Sequence, residues 1–380
     1  MFPGELQMTE NSMPADLYRL IAEAKKLKPV SAEAAEAFSS IKQSLVNEVT
    51  AAMSAREDLT SLTGGNPMEI MTTRHKNFAS FMATVLLLNQ FELLVKNISW
   101  DYRIYRAHGF SYGYFPIEIG AWIAAVERQL ATEHQPLILE VYRWILTAHE
   151  RLVLIADMSS DAPVNEFTIT DGQQSRFLDA LLGADHTEAL AMARKVKNAE
   201  DFEFFLLCVI QPSMYEIGRL WEKGKISVAQ EHLASSIVSR VMSQLYSAIV
   251  AVKPTKGRAV ITAAPNELHE LGAWMVSDLL ELDGWQVRYL GANTPMEDLM
   301  ELLEDFRPQL LAISVIMPFN LDEVKKLITA IRNKESLRGI KIMVGGRVFM
   351  TVPDIWSEIG ADATAGNARE AVTAAQRLCS

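Results

Sequence analysis

Cysteine is almost missing from this chain: there are two in 380 residues, Cys208 and Cys379, far apart and without CxxC spacing. That excludes a disulfide framework and a zinc knuckle, and it fits a reducing compartment, so a cytoplasmic protein is expected. Long apolar runs are missing as well. None reaches the roughly 18 residues of a membrane span, and the N-terminus has no basic stretch leading into an apolar one, so no signal peptide is expected. Positive charge is in deficit, with 36 Lys and Arg against 47 Asp and Glu and a formal net charge of −11. No helix-turn-helix, zinc finger or basic arm is visible, so direct nucleic-acid binding is not expected. What remains is an ordinary globular composition, 49% hydrophobic and 22% charged, long enough for two or three domains.

The first of these spans residues 1–158 and reads as all-α. After a loose tail over 1–13, helices are expected over 15–27, 31–56 (with Ser31 as N-cap) and 72–97, with a firm break at Ser61–Pro67. Pro116 and Pro136 each open a further helix, to about 130 and 157. Ten of the chain's 31 aromatic residues fall between Trp100 and Glu150, with His108, His134 and His149 among them. Such a cluster is either a core that happens to use aromatics or the wall of a pocket for a large flat ligand.

A polar stretch over 159–172 reads as a linker. Four helical segments follow, over 173–182, 187–197, 199–222 and 228–250, making a four-helix bundle domain over 173–252. The last carries an i+4 stripe of Leu233, Ile237, Val241, Leu245 and Ile249, expected to face the bundle core.

From residue 256 the period changes. Strands are expected over 258–264, 286–290, 310–315, 341–344 and 362–365. Helices alternate with them over 271–283, 295–306, 321–334, 351–359 and 368–378. Thr294 with Glu297, Asn320 with Glu323 and Asn367 with Glu370 read as cap-plus-acid helix starts. Five such units make a doubly wound parallel sheet over 256–380.

The chemistry-bearing residues sit at the carboxyl edge of that sheet, where open α/β sheets bind ligands. Glu267-Leu-His269-Glu-Leu-Gly272 follows the first strand. The Glu two residues before His269 can bond one ring nitrogen and leave the other for a metal, unless the loop is simply solvated. Ser314 ends the third strand, and Gly345-Gly346 follow the fourth, where paired glycines let a bulky ligand approach the backbone.

Together these residues resemble the cobalamin-binding domain that carries B12 with its own base displaced, whose pattern is Asp/Glu-x-His-x-x-Gly, Ser-x-Leu and Gly-Gly. Ile316 stands where Leu is usual, a volume-conserving change. The Leu290-Gly291-x-x-x-Pro295 segment is also favoured there, and the sheet order is expected to be flavodoxin-like. The resemblance implies that His269 is the lower axial ligand of cobalt, that Glu267 and Ser314 form the relay that orients it, and that the displaced dimethylbenzimidazole tail lies past Ser314 and Gly345/Gly346.

In the bundle, Trp221 is followed after nine residues by Glu231-His232. Ser227 and Gln230 form a cap pair that places both at the head of the last helix. This pattern is similar to that of adenosylcobalamin photoreceptors related to the CarH light-dependent repressors. It implies that Trp221 packs over the adenosyl group, that Glu231 contacts its ribose or adenine, and that His232 takes the upper cobalt position after light breaks the Co–C bond.

The N-terminal all-α domain stands where those repressors have a DNA-binding domain. That layout resembles the photocobilins, which also bind a bilin, biliverdin. With no cysteine in residues 1–207, a bilin there would be non-covalent. Arg103, Tyr105, Arg106, His108, Trp122 and His149 are the candidate contacts.

The expected function is therefore a light sensor and not an enzyme. It would act through light-dependent assembly as a homo-oligomer, dimer or tetramer, and through an unidentified downstream protein. A corrinoid methyl carrier of a methyltransferase system is the alternative. A haem pocket using His75, His108 or His149 is a third reading.

Overall fold

Asn89 divides what the apolar pattern reads as one helix over 72–97. In the computed structural model its backbone is left-handed, with φ of 52°, and its side-chain amide brackets Val30. Oδ1 accepts the Val30 N–H at 2.7 Å, and Nδ2 donates to the Val30 carbonyl at 3.1 Å. Asparagine tolerates this conformation better than most residues. The structure describes residues 15–158, 172–246, 253–352 and 354–379. The tail expected over 1–13, the linker over 159–171 and the end of the helix over 247–250 lie outside them.

The chain divides into two units, Met1–Val164 and Asn165–Ser380. Among the described residues the first unit is helical: α1 Ala15–Ala24, α2 Ala32–Ser54, α3 Leu59–Thr63, α4 Met68–Leu88, α5 Phe91–Ala107, α6 Tyr114–Gln129 and α7 Gln135–Met158. Ser31 caps α2, its side chain accepting from the Ala34 N–H. The short α3 falls within the expected break. Six of the ten aromatic residues of the cluster lie in the core of this unit. Trp122, Tyr102, Tyr114, Tyr142, Phe110 and Phe115 are all among its fully buried side chains.

The second unit opens with the bundle: α8 Gly172–Leu182, α9 His186–Ala193, α10 Ala199–Phe204, α11 Gln211–Glu222 and α12 Val228–Tyr246. Between α10 and α11 the chain stays helical but widens to a π-turn over Phe205–Ile210. Pro212 explains it. A proline has no N–H for the carbonyl four residues back, here Cys208, and that carbonyl instead accepts from Gln174 Nε2 at 2.5 Å. The core face of α12 is Ala234, Ile237, Val238, Val241, Met242 and Leu245. Leu233, expected in that stripe, is 45% exposed, because the buried face of α12 starts one position later, at Ala234, and Leu233 lies off it.

The sheet follows with β1 Arg258–Ala263, α13 Leu271–Leu282, β2 Gln286–Tyr289, α14 Met296–Phe306, β3 Leu310–Ser314, α15 Leu321–Asn333, β4 Lys341–Gly345, α16 Arg347–Thr351, α17 Ile355–Glu358, β5 Ala363–Ala365 and α18 Ala368–Cys379. The strands are parallel in the order β2-β1-β3-β4-β5. The strand order reverses between β1 and β3, which places the switch point there. One helix expected over 351–359 is two short ones. Val352, just before Pro353, is extended (φ −131°, ψ 94°), as a residue preceding proline prefers.

Bundle and sheet share a core: Met275 and Leu279 of α13 and Ala368 of α18 belong to the buried cluster built from Phe177, Phe202, Leu206 and Val241.

Candidate functional site

Parallel register sets the site's edge. Ala263 pairs with Ser314, Ser314 with Gly345, and Gly345 with Ala365. The chain leaving β1 turns sharply at Asn266, whose φ is 62° and whose N–H donates to Asn293 Oδ1 at 2.9 Å. The turn drives Glu267 inward, to 1% exposure, and leaves the His269 side chain 55% exposed.

Glu267 is saturated with donors. Oε1 accepts from His269 Nδ1 at 2.5 Å and from the His269 backbone N–H at 3.2 Å. Oε2 accepts from the N–H groups of Ile316 and Met317 at 3.0 and 2.9 Å, and from Asn320 Nδ2 at 3.1 Å. Burial alone raises the pKa of a carboxyl, but the hydrogen bond and charge of His269 outweigh it and hold Glu267 below the usual range. The same bond raises the His269 pKa. With Nδ1 engaged, Nε2 has no hydrogen-bond partner among the described residues and keeps the capacity to bind a metal.

Ser314 does not join this relay. No hydrogen bond links it to Glu267 among the described residues, and Asn320 stands in the expected place. Asn320 reads from sequence as a helix cap, yet it makes no capping bond to α15. Its polar partner lies on another strand's loop, which no local pattern reveals. The glycines behave differently from one another. At Gly346 φ is 108°, and a Cβ would come within 2.3 Å of the Val315 carbonyl. At Gly272 a Cβ would meet only Ser314 Oγ, at 3.9 Å. The fold demands the glycine at 346; at 272 it merely leaves room beside Ser314.

The head of α12 comes near enough to this edge for the charge of Glu231 to act on His269. Ser227 and Gln230 form a reciprocal cap, with Ser227 N–H to Gln230 Oε1 at 2.9 Å and Gln230 N–H to Ser227 Oγ at 3.3 Å. Glu231 follows, its Oε1 accepting from Ser235 Oγ at 3.0 Å and its Oε2 lying 3.0 Å from His232 Nδ1. The His232 side chain is 74% exposed. Glu231 lies near enough for its charge to favour the protonated form of His269. Trp221 packs partly buried against the bundle core. The next residue, Glu222, ties the bundle to the sheet through a 2.6 Å ion pair with Arg347, just past the glycine pair. Sequence reading missed this pair, since its members are 125 residues apart. Apolar side chains remain uncovered on both sides: Leu268 beside His269, and Val228 and Leu233 on the first turns of α12.

In the first unit the six candidate residues part company. Trp122 is wholly buried, among His75, Phe78 and Tyr142. Tyr105 lies under the Arg74 guanidinium at 4.5 Å. Arg106 lies 5.5 Å over the Tyr112 ring, and the charges of Arg106 and Arg103 both act on that phenol. Tyr112 adjoins Tyr102, which bonds His149 Nδ1 at 3.1 Å. Arg103, Arg106 and His149 thus share one neighbourhood. His108 ends α5, its carbonyl accepting from Asn66. His75 is unsuited to an axial haem role: it is fully buried, and both ring nitrogens are engaged, with Thr50 Oγ1 and the Tyr114 hydroxyl, each at 2.8 Å.

Among the described residues no group of three or more His, Cys, Asp or Glu side chains is arranged to hold a metal ion, and no helix is long and apolar enough to cross a membrane. A lone imidazole such as His269 suits a metal whose other positions are filled by something else.

Comparison with known proteins identifies residues 257–376 with a B12 binding domain, and residues 173–246 with a second B12 binding domain model. Dimethylamine corrinoid protein 1 of Methanosarcina mazei is 25% identical over 203 residues, 53% of this chain and 93% of that protein. The HTH-type transcriptional repressor CarH of Myxococcus xanthus is 31% identical over 139 residues, 36% of this chain and 45% of the repressor. Among solved structures, the monomethylamine corrinoid protein of Methanosarcina barkeri aligns with a TM-score of 0.49 at 23% identity, covering 54% of this chain and 98% of that one.

Proposed function

We propose that this cobalamin-binding chain is a light sensor that holds adenosylcobalamin between the bundle and the sheet. The observation that carries the reading is the placement of Glu231 and His232. The charge of Glu231 acts on His269, and Glu231 sits beside the exposed His232 at the capped head of α12, which supports reading His232 as a second imidazole for the same cofactor. The residues fit the group. His269 offers a free Nε2, Gly272 leaves room beside Ser314, and uncovered apolar side chains flank the gap. When bound, the cofactor supplies a weak Co–C bond that light cleaves homolytically.

The chain's own residues decide the outcome. His269, steadied by Glu267, holds cobalt from below. The glycine edge receives the displaced base. Trp221 and Glu231 would enclose the adenosyl group, and His232 would be the second residue able to hold the cobalt. A changed bundle pose then biases assembly, as a homo-oligomer in the cytoplasm signalling to a separate protein, with no nucleic acid bound directly and no reaction catalysed. Biliverdin is the proposed second chromophore. Arg103 and Arg106 suit its two propionates, beside the Tyr112, Tyr102 and His149 rings.

Methyl carriage is the second reading, favoured by the length over which the dimethylamine corrinoid protein matches. That match covers 53% of the chain, about the length of the bundle and sheet, and holding cobalamin is a need both functions share. A carrier must keep its upper face open to a methyl donor, whereas the resemblance to the photoreceptors assigns an indole, Trp221, and an imidazole, His232, to that side.

The purified chain loaded in darkness with adenosylcobalamin, then lit with green light, separates the two. The sensor reading expects photolysis to a stable new absorption spectrum. A carrier would photolyse to a product that His232→Ala leaves unchanged, and its methylcobalamin form would pass the methyl group to a thiol acceptor when its methyltransferase is present. Adding biliverdin should produce a red-absorbing band, and Arg103→Ala with Arg106→Ala should weaken it.

A further inference from the structure

The carboxylate that steadies His269 is itself held, and its holder differs from the residue the motif suggests. Glu267 Oε2 accepts three donors from the loop after β3: the backbone N–H groups of Ile316 and Met317, and Asn320 Nδ2 at 3.1 Å. Asn320 is 2% exposed and closes the short 3-10 turn Pro318–Asn320 that leads into α15. It occupies the N-cap position of α15, where an asparagine side chain ordinarily bonds the helix's own amides. Here it makes no such bond. Its amide is committed to Glu267 instead, 53 residues away in the chain. Ser314, on the neighbouring strand end, makes no hydrogen bond to Glu267 among the described residues.

We infer that Asn320 is the positioning residue of the His269–Glu267 pair, filling in this chain the place that the resemblance gives to Ser314. The inference rests on the reading of His269 as the lower cobalt ligand. Three donors on Oε2 fix the rotation of the carboxylate. Oε1 is then presented to Nδ1, the ring proton stays on Nδ1, and the Nε2 lone pair is kept for the metal. The two backbone donors belong to the main chain, and among the described residues Asn320 is the one side chain of the β3 loop that bonds Oε2.

The test uses the full-length chain, biosynthetically labelled with 15N-histidine and loaded with cob(II)alamin. Its electron paramagnetic resonance spectrum splits according to the axial nitrogen, giving two lines per component for a 15N imidazole and three for the 14N base of the cofactor. Affinity is read by titrating the cobalamin-free chain with hydroxocobalamin. Asn320→Leu removes the donor at similar volume. It should weaken or lose the two-line splitting and lower affinity about tenfold, the low end for partners that support a metal ligand. Asn320→Asp keeps the shape but sets a second carboxylate against Glu267, and its loss should be larger. Ser314→Ala should keep the two-line splitting.

Wild-type splitting and affinity in both Asn320→Leu and Asn320→Asp would overturn the inference, as would loss of the splitting in Ser314→Ala alone. Should Asn320→Leu not fold, Asn320→Ala decides by the same two readouts. His269→Ala tests the underlying reading separately. If that variant keeps the two-line signal, the ligand assignment itself is wrong, whereas its loss there with no effect of Asn320 variants overturns only the positioning role.

Discussion

Arg74 sits almost out of water, at 3% exposure, in the middle of the first unit. It meets Glu118 at 2.9 Å and Asp101 at 3.2 Å, with Tyr105 and Phe115 against its faces. One cation between two carboxylates leaves an excess of negative charge, and burial pushes Asp101 up to about 6. His75 responds in the opposite direction: burial, then the Arg74 charge, push it down to about 3. Removing one partner of such a cluster strands a buried charge. Arg74→Met should therefore cost about 3–5 kcal/mol of stability, read from chemical denaturation of the first unit. Arg74→Met combined with Glu118→Gln should recover part of it. A second buried acid, Asp278 on α13, makes a different prediction. Burial, and then the charge of Glu281, push it up to about 8 against a hydrogen bond from Trp274, and its Oδ2 has no hydrogen-bond partner among the described residues. The folded state therefore keeps a proton that the unfolded chain releases near pH 4. The stability this gives is fully present below that pH and is lost as pH rises toward 8, with a slope approaching about 1.4 kcal/mol per pH unit. Denaturation midpoints of the second unit should fall from pH 5 to pH 8, and Asp278→Asn should flatten the decline.

At the scale of elements, the ion pair between Glu222 at the end of α11 and Arg347 at the start of α16 closes the bundle onto the sheet beside the glycine edge. The Arg347 side chain is 44% exposed, so the pair contributes about 1 kcal/mol or less. Glu222→Gln should speed cobalamin release no more than about fivefold, measured by transfer of cofactor to a competing binder; an unchanged rate would leave the pair without a role in retention. This contact also marks where the sequence stops being legible. The strands were readable where an apolar run alternates with a helical period, as in β1 and β3, and the last helix was marked by its own start signal, Asn367 and Glu370, whose side chains cap reciprocally. The Ser227–Gln230 cap was readable for the same local reason. Asn89 was not, because the apolar spacing continues across it and only its bonds to Val30 explain the break. Asn320 and the Glu222–Arg347 pair were hidden because their partners are distant in the chain. The aromatic cluster was visible as composition, but whether it is core or pocket depends on packing. Trp122 is core, whereas Arg103, Arg106 and His149 gather about Tyr102 and Tyr112 nearer the surface.

At the scale of the whole molecule, the second unit carries both imidazoles and both B12 binding domain matches, and the first carries the aromatic core and the arginine–tyrosine neighbourhood. If the chain is the sensor proposed above, a change at cobalt alters how copies associate. Size-exclusion chromatography of the adenosylcobalamin-loaded chain should show different elution in darkness and after green light. The most direct test is the absorption spectrum of that chain before and after green light without oxygen, for wild type and His232→Ala. The wild type should pass to a new spectrum that persists in the dark, and His232→Ala should photolyse without reaching it. A Co–C bond that outlasts illumination, or a His232→Ala endpoint identical to that of the wild type, would contradict the account.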